Sequence, residues 1–192
     1  MSVKDFVQQR RDDFIAMRRD FHMYPEPAWL EYRSAAKVAE KLIALGYDVA
    51  LGAEVLDLDS RMGLPSEDVM KAAMARAMDE GADPELVEKM GYGKTAIVAT
   101  MKFSDDGPVV AFRADMDSND VIESKASNHI PAKNGFRSRH EKAMHACGHD
   151  THMTMGLGLA EYIATHKDGL KGTIKLIFQP AEEGVRGAKA MV

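Results

Sequence analysis

Four side chains able to ligate a metal lie within eight residues: His145, Cys147, His149 and His152, in the run Met144-His145-Ala146-Cys147-Gly148-His149-Asp150-Thr151-His152. Cys147 is the only cysteine in the chain. The stretch before the run is polar and irregular, and Thr151 to Lys167 reads as a helix. Cys147 and His149 therefore sit in a turn at a helix N-terminus, where the helix dipole favours a thiolate. Two residues apart in a tight turn, thiolate and imidazole can converge on one cation. The competing reading makes His145 and His152 surface residues and Cys147 a small buried hydrophobe. Three histidines in so short a span favour the metal.

Two acidic pairs join this run. Glu182 and Glu183 follow the apolar stretch Ile174-Lys175-Leu176-Ile177-Phe178 and a proline turn at Pro180. Adjacent glutamates are usually solvated surface, but here the turn puts them at a sheet edge. Neighbouring residues point in different directions, so one carboxylate can bind metal while the other moves protons. A carboxylate occupied by a cation is a poor base, and a free one beside it can take a proton from water. Asp115 and Asp117 are spaced i, i+2 and share a face if their strand persists. They are either turn carboxylates at a strand end or, for Asp117, the acceptor that fixes the tautomer of a ligating imidazole such as His149.

The elements that must position these residues follow from periodicity and breakers. Val3 to Met23 reads as one amphipathic helix, with Phe6, Phe14, Met17 and Phe21 on one face, ended by Pro25 and Pro27. A helix over Ser34–Leu45 stops at Gly46, and a strand runs from Tyr47 to Val55. Residues 57–93 form an acidic helical insertion, with Ser66 as N-cap and a second helix after Pro84. It is read as surface decoration or, alternatively, a partner-docking arm. Thr95–Phe103 and Val109–Met116 are strands whose short link, Ser104 to Pro108, predicts an antiparallel pair. Residues 118–145 form a long irregular loop. Gly172–Gln179 is a strand, and Gly187–Val192 begins a helix.

Strands alternating with helices make the fold α/β with a mixed sheet. Strand 109–116, the helix and strand 172–179 resemble a crossover unit. Asp115, Asp117, Glu182 and Glu183 then lie at strand carboxyl ends, where open α/β sheets gather their ligands.

Composition narrows the function. The chain has 192 residues, 45% of them hydrophobic, which suits one domain with a core. A net charge of -5 and a pI of about 5.8 leave no basic face for nucleic acid. Neither a signal-peptide core nor a membrane-length apolar run is present. One cysteine allows no internal disulfide, and together these features favour a cytoplasmic protein.

Three stretches carry a family resemblance: Arg113-Ala114-Asp115-Met116-Asp117, Met144 to Asp150, and Phe178-Gln179-Pro180-Ala181-Glu182-Glu183-Gly184. They resemble the signatures of metal-dependent amidohydrolases of the aminoacylase-carboxypeptidase type, which include hippurate- and indoleacetyl-amino-acid hydrolases. Phe21-His22-Met23-Tyr24-Pro25-Glu26 is similar to that family's N-terminal signature. Val55 to Pro65 and Gly135-Phe136-Arg137-Ser138-Arg139 resemble the branch that hydrolyses p-aminobenzoyl-glutamate. The resemblance implies a three-layer αβα zinc-exopeptidase-like catalytic domain. It implies two divalent ions, manganese or zinc, bridged by a Cys147 thiolate and ligated by His149 and Glu183. It makes Glu182 the general base and then acid, gives Asp117 a supporting role behind the ligands, and leaves His22 and Glu26 supporting the fold. The implied reaction is hydrolysis of the amide bond of a small N-acyl amino acid by a metal-activated water.

Family members are longer. The resemblance places two further metal-binding histidines, one shortly beyond Val192 and one near the C-terminus, outside these residues, together with a lid and dimerisation domain. The expectation is the N-terminal part of a catalytic domain that self-associates or takes a completing partner chain. Two other readings stand beside catalysis by metal: a chain that binds metal or assembles without turnover, and an amidase with Cys147 as nucleophile and Glu182 as base.

Overall fold

The computed structural model describes residues 1–192. The N-terminal segment is two helices rather than one, α1 (Val3–Gln9) and α2 (Arg11–Met23), separated at Arg10. The break lets Phe6 turn onto Phe14 and Tyr162, with ring centroids 6.1 and 5.3 Å away. Arg10 Nε also pairs with Glu161 at 2.7 Å. Packing on a later helix overrides the continuous pattern.

Helix α3 (Tyr32–Ala44) starts two residues earlier than its sequence suggests. The buried carboxylate of Glu26 accepts from the Arg33 and Ser34 amides at 2.9 and 2.8 Å, which satisfies donors that a helix start leaves free. Ala35, Ala36, Val38, Ala39 and Leu42 form its buried face. Strand β1 is only Asp48–Leu51, and the chain leaves it in a 3₁₀ turn at Gly52–Glu54.

The segment 57–93 is not surface decoration. Helices α4 (Glu67–Asp79) and α5 (Pro84–Lys89) form as expected, and Ser66 caps α4 by accepting from the Val69 amide. Met70, Ala73, Met74, Ala77, Val87 and Met90 are nevertheless buried in the main core. Positions 70, 73, 74 and 77 form an apolar stripe at helical spacing, and the acids that dominate the composition face outward.

The sheet has the order β1-β2-β4-β3, with β2 at Ile97–Lys102, β3 at Val109–Asp115 and β4 at Thr173–Gln179. The expected pairing of β2 with β3 does not occur. They run in opposite directions, but β4 lies between them, antiparallel to β2 and parallel to β3. The Ser104–Pro108 link steps over the start of β4 instead of closing a hairpin, and holds it through Gly172 O to Phe103 N (2.9 Å) and Thr173 N to Pro108 O (3.0 Å). β4 takes the inner place because Ile174, Leu176 and Phe178 are its buried face.

The crossover unit is present: β3 leads through the loop and α7 (His149–Thr165) to its parallel neighbour β4. α7 begins at Gly148, whose φ of 83° places the turn in the left-handed region open to glycine. The last residues form a 3₁₀ turn, Ala188–Met191, rather than an α-helix. β3 is an edge strand. Val109, Val110 and Phe112 are exposed along it, and an apolar groove of about 690 Å³ runs between β3, α7 and α1. No helix is long and apolar enough to cross a membrane.

The irregular stretch after β3 contains one short helix, α6 (Ile130–Lys133). It is organised by the buried Glu123, whose carboxylate meets His22 Nε2 at 3.0 Å, His129 Nε2 at 2.8 Å and the Ser138 amide.

Candidate metal centre

The carboxyl ends of β3 and β4 and the N-terminus of α7 bring the acidic pairs to His149. Its Nδ1 faces the main-chain oxygen of Asp117 at 2.8 Å and the Asp117 carboxylate at 3.3 Å. Its Nε2 lies 3.5 Å from Asp115 Oδ1, 3.7 Å from Glu182 Oε2 and 3.8 Å from Glu183 Oε1. Two groups therefore have metal-ligand spacing: His149 with Glu182 and Glu183, and Asp115 with His149 and His152.

Asp117 is fully buried, and its carboxylate accepts from the Glu182 and Glu183 amides at 3.0 and 2.9 Å. The strand ends at Asp115, so the two aspartates part company. Asp115 turns to His152 Nδ1 at 2.6 Å, and Asp117 holds the base of the acidic turn. Burial opposes a charge on His149, but the hydrogen bond to Asp117 and the Asp115 carboxylate outweigh it and raise its pKa to about 9. A cation at Nε2 must displace that proton.

Cys147 is exposed, and its turn is held by Asn119, whose Oδ1 accepts from the Ala146 and Cys147 amides at 3.2 Å each. The Glu183 carboxylate beside the thiol pushes its pKa up, with Glu182 adding to the effect. Here two nearby negative charges overcome the thiolate-favouring helix start. A divalent cation among these groups would reverse that sign.

The donor set fits a divalent cation. An imidazole and two carboxylates converge, the Cys147 thiol lies beside Glu183 but outside that cluster, and Glu183 Oε1 is buried without a hydrogen-bond partner. Glu182 is the more exposed of the pair, its side chain 40% accessible against 27% for Glu183. Both carboxylates belong to the cluster around His149.

His145 lies apart from both groups. It is buried, neither ring nitrogen has a partner, and burial pushes its pKa down to about 4. Sequence reasoning missed the surrounding supports. Asp150 is fully buried and binds His22 Nδ1 at 2.7 Å and Arg18 Nε at 2.9 Å. Asn119 carried no local signal. Glu31 did carry one, being a single acid after the apolar run Ala28-Trp29-Leu30.

With this geometry in place, similarity to known proteins becomes informative. Residues 111–192 match peptidase family M20/M25/M40. They contain most of β3 and all of the Cys147 turn, α7, β4 and the acidic turn. An indole-3-acetyl-aspartic acid hydrolase of Enterobacter agglomerans is 47% identical over 99% of this chain and 44% of its own length. One component of the p-aminobenzoyl-glutamate hydrolase of Escherichia coli is 48% identical over 100% of this chain and 44% of its own. A crystal structure of an aminobenzoyl-glutamate utilization protein from Klebsiella pneumoniae superposes with a TM-score of 0.82 at 39% identity, covering 100% of this chain and 42% of that one. A dinuclear metal-binding peptidase of family M20 from Bacillus subtilis gives a TM-score of 0.63 at 28% identity, covering 97% and 38%. The mixed α/β fold is thus that of M20 peptidase catalytic domains. The chain spans less than half the length of these relatives.

Proposed function

We propose that this chain carries part of the metal centre of an amidohydrolase that cleaves N-acyl or N-aroyl amino acids, p-aminobenzoyl-glutamate being the type substrate. The observation that carries the reading is the unpartnered, buried Glu183 Oε1 facing His149 Nε2, with the Cys147 thiol alongside. In this reading Cys147, His149 and Glu183 hold two divalent ions, manganese or zinc. Thiolate and imidazole suit zinc, and carboxylates suit manganese. Bound ions supply Lewis acidity and lower the pKa of water. Glu182 stays free to take a proton from the attacking water and pass it to the departing amine, leaving a carboxylic acid and an amino acid. Asp117 fixes the His149 tautomer through its main-chain oxygen and steadies both glutamates through their amides.

The same reading makes residues 1–192 the N-terminal part of a catalytic domain acting in the cytoplasm. The remaining ligands, the lid and the dimerisation surface come from further polypeptide or another copy. A second reading, metal binding or assembly without turnover, draws on the chain covering 44% of its relatives. The raised Cys147 thiol speaks against the nucleophilic-cysteine reading, which needs a readily formed thiolate.

The test is metal content per chain, solution mass and hydrolysis of p-aminobenzoyl-glutamate by the purified 192-residue protein. Activity lost to a chelator and restored by metal supports the reading. Glu182→Gln is expected to abolish hydrolysis while metal stays bound. Full activity in that variant would remove Glu182 as the base. Metal binding without turnover would favour the second reading.

A further inference from the structure

Three consecutive amides of the acidic turn end on two buried carboxylates. The Ala181 amide donates to Glu31 Oε1 at 2.8 Å, and the next two donate to the oxygens of Asp117. Glu31 Oε2 meets Thr95 Oγ1 at 2.6 Å. Glu31 and Asp117 are both wholly inaccessible.

The turn they hold is an uncommon one. Ala181 has φ of 52°, a left-handed conformation that a residue with a Cβ keeps only where its surroundings impose it. The return of the chain adds to the constraint: the Val185 amide bonds Glu182 O, and the Gly187 amide bonds Ala181 O, both at 2.8 Å. Gly187 lies so close that a Cβ there would sit 1.8 Å from Pro180 O.

Burying a carboxyl is costly unless it is hydrogen-bonded. Glu31 is not needed to start α3, because Glu26 already serves those amides. Its side-chain hydrogen bonds go to Thr95 on one side and the acidic turn on the other.

We propose that Glu31 is a positioning residue that fixes the main chain at Ala181 and so aims the Glu182 and Glu183 carboxylates at the metal centre. This rests on the reading that those carboxylates serve a cation. Asp117 alone grips the turn only beyond residue 181. Without Glu31 the amide of the Pro180–Ala181 peptide loses its acceptor, so the left-handed φ at Ala181 can relax and carry the glutamates that follow it to a new direction. Burial, with the Asp117 carboxylate adding to it, raises Glu31 to about 8. A glutamine therefore mimics its neutral form, accepting from Ala181 through its carbonyl and donating to Thr95 Oγ1.

The experiment compares wild type, Glu31→Ala and Glu31→Gln by amide hydrogen exchange at residues 181–183 and by calorimetric titration with Zn²⁺. In Glu31→Ala, exchange at Ala181 should rise by about tenfold relative to core amides. Zn²⁺ affinity should fall by about tenfold, as when a supporting hydrogen bond is lost. Glu31→Gln should restore both to within about twofold of wild type. A merely structural role would move core exchange and Ala181 exchange together. If Glu31→Ala does not fold, Thr95→Val, which removes only the outer partner, should still raise exchange at Ala181. Unchanged Ala181 exchange in the folded variants would overturn the proposal. So would loosened Ala181 with wild-type Zn²⁺ affinity. A wild-type chain that takes up no Zn²⁺ would instead sink the metal reading, with the exchange data still deciding whether Glu31 holds the turn.

Discussion

His149 presents Nδ1 to the main-chain oxygen of Asp117 at 2.8 Å and so keeps Nε2 directed at Glu182 and Glu183. A carbonyl can only accept, so Nδ1 keeps its hydrogen and the proton that a cation displaces is the one on Nε2. His149→Ala should therefore reduce metal affinity by about 100-fold or more, exceeding the roughly 10–100-fold typical of losing a ligand's supporting partner. His152 is half-exposed and paired with Asp115, so His152→Ala should change affinity by no more than about threefold. Isothermal titration decides, and equal losses in the two variants would favour the Asp115 group as the site.

His22 joins Asp150 at the start of α7 to Glu123 in the long loop, all three buried. His22→Phe should cost about 3 kcal/mol, because two buried acids each lose a partner and are left with Arg18 on one side and His129 on the other. The cost should depend on pH. Burial opposes protonation of His22, but its two carboxylate partners raise its pKa above 6.5. Its contribution is full below the unfolded value and fades as pH rises through the folded one. Asp150 and Glu123 are lowered despite burial, so their contributions hold above their unfolded values and fade in acid. Urea melts should show the largest wild-type advantage between those limits and a smaller one in alkali. An equal gap in mild acid and in alkali would deny the charge on His22 any role.

Glu31 gives the opposite slope to an ordinary carboxylate. The folded chain keeps its proton up to about 8, whereas the unfolded chain releases it near 4.5. Stability attributable to this group therefore falls as pH rises through that window, by at most about 1.4 kcal/mol per pH unit. Glu31→Gln has no proton to lose. Its stability relative to wild type should improve steadily from about pH 5 to about pH 8 in thermal or urea melts. A flat difference would mean that Glu31 is ionised in the folded chain.

The edge of β3 exposes unpaired main-chain groups beside Val110 and Phe112, which are 42% and 48% accessible. Such an edge invites another strand. Light scattering should show the mass of the purified chain rising with concentration, and Phe112→Lys should lower it toward that of a monomer. A monomer at every concentration would show that this edge does not pair on its own.

The chemistry was more legible in the sequence than the topology. Cys147, His149, Asp117, Glu182 and Glu183 stand out because their types and spacing are local facts, and the fold gathers them near one another. The pairing of β2 with β3 was misread because a short link does not say whether a third strand will enter between its arms. Residues 57–93 looked peripheral because their acids dominate the composition while a four-position methionine and alanine stripe sets their packing. The partners of Glu31, Asp150 and Glu123 were hidden for a different reason: each acts on a residue more than a hundred positions away, and even the lone acid Glu31 after an apolar run does not say which residue it meets.

The bond between Ala181 and Glu31 spans 150 residues. During synthesis the ribosome releases Glu31, Thr95 and Asp117 long before the acidic turn exists. The groups that will hold the turn are thus synthesised before it. Closing so long a loop is entropically slow. In the metal reading proposed above, Cys147 and His149 also emerge before Glu183, and until the turn docks they form an incomplete ligand set. In that reading an ion is held only once this contact between residues far apart in sequence has formed, not when the first ligand leaves the ribosome.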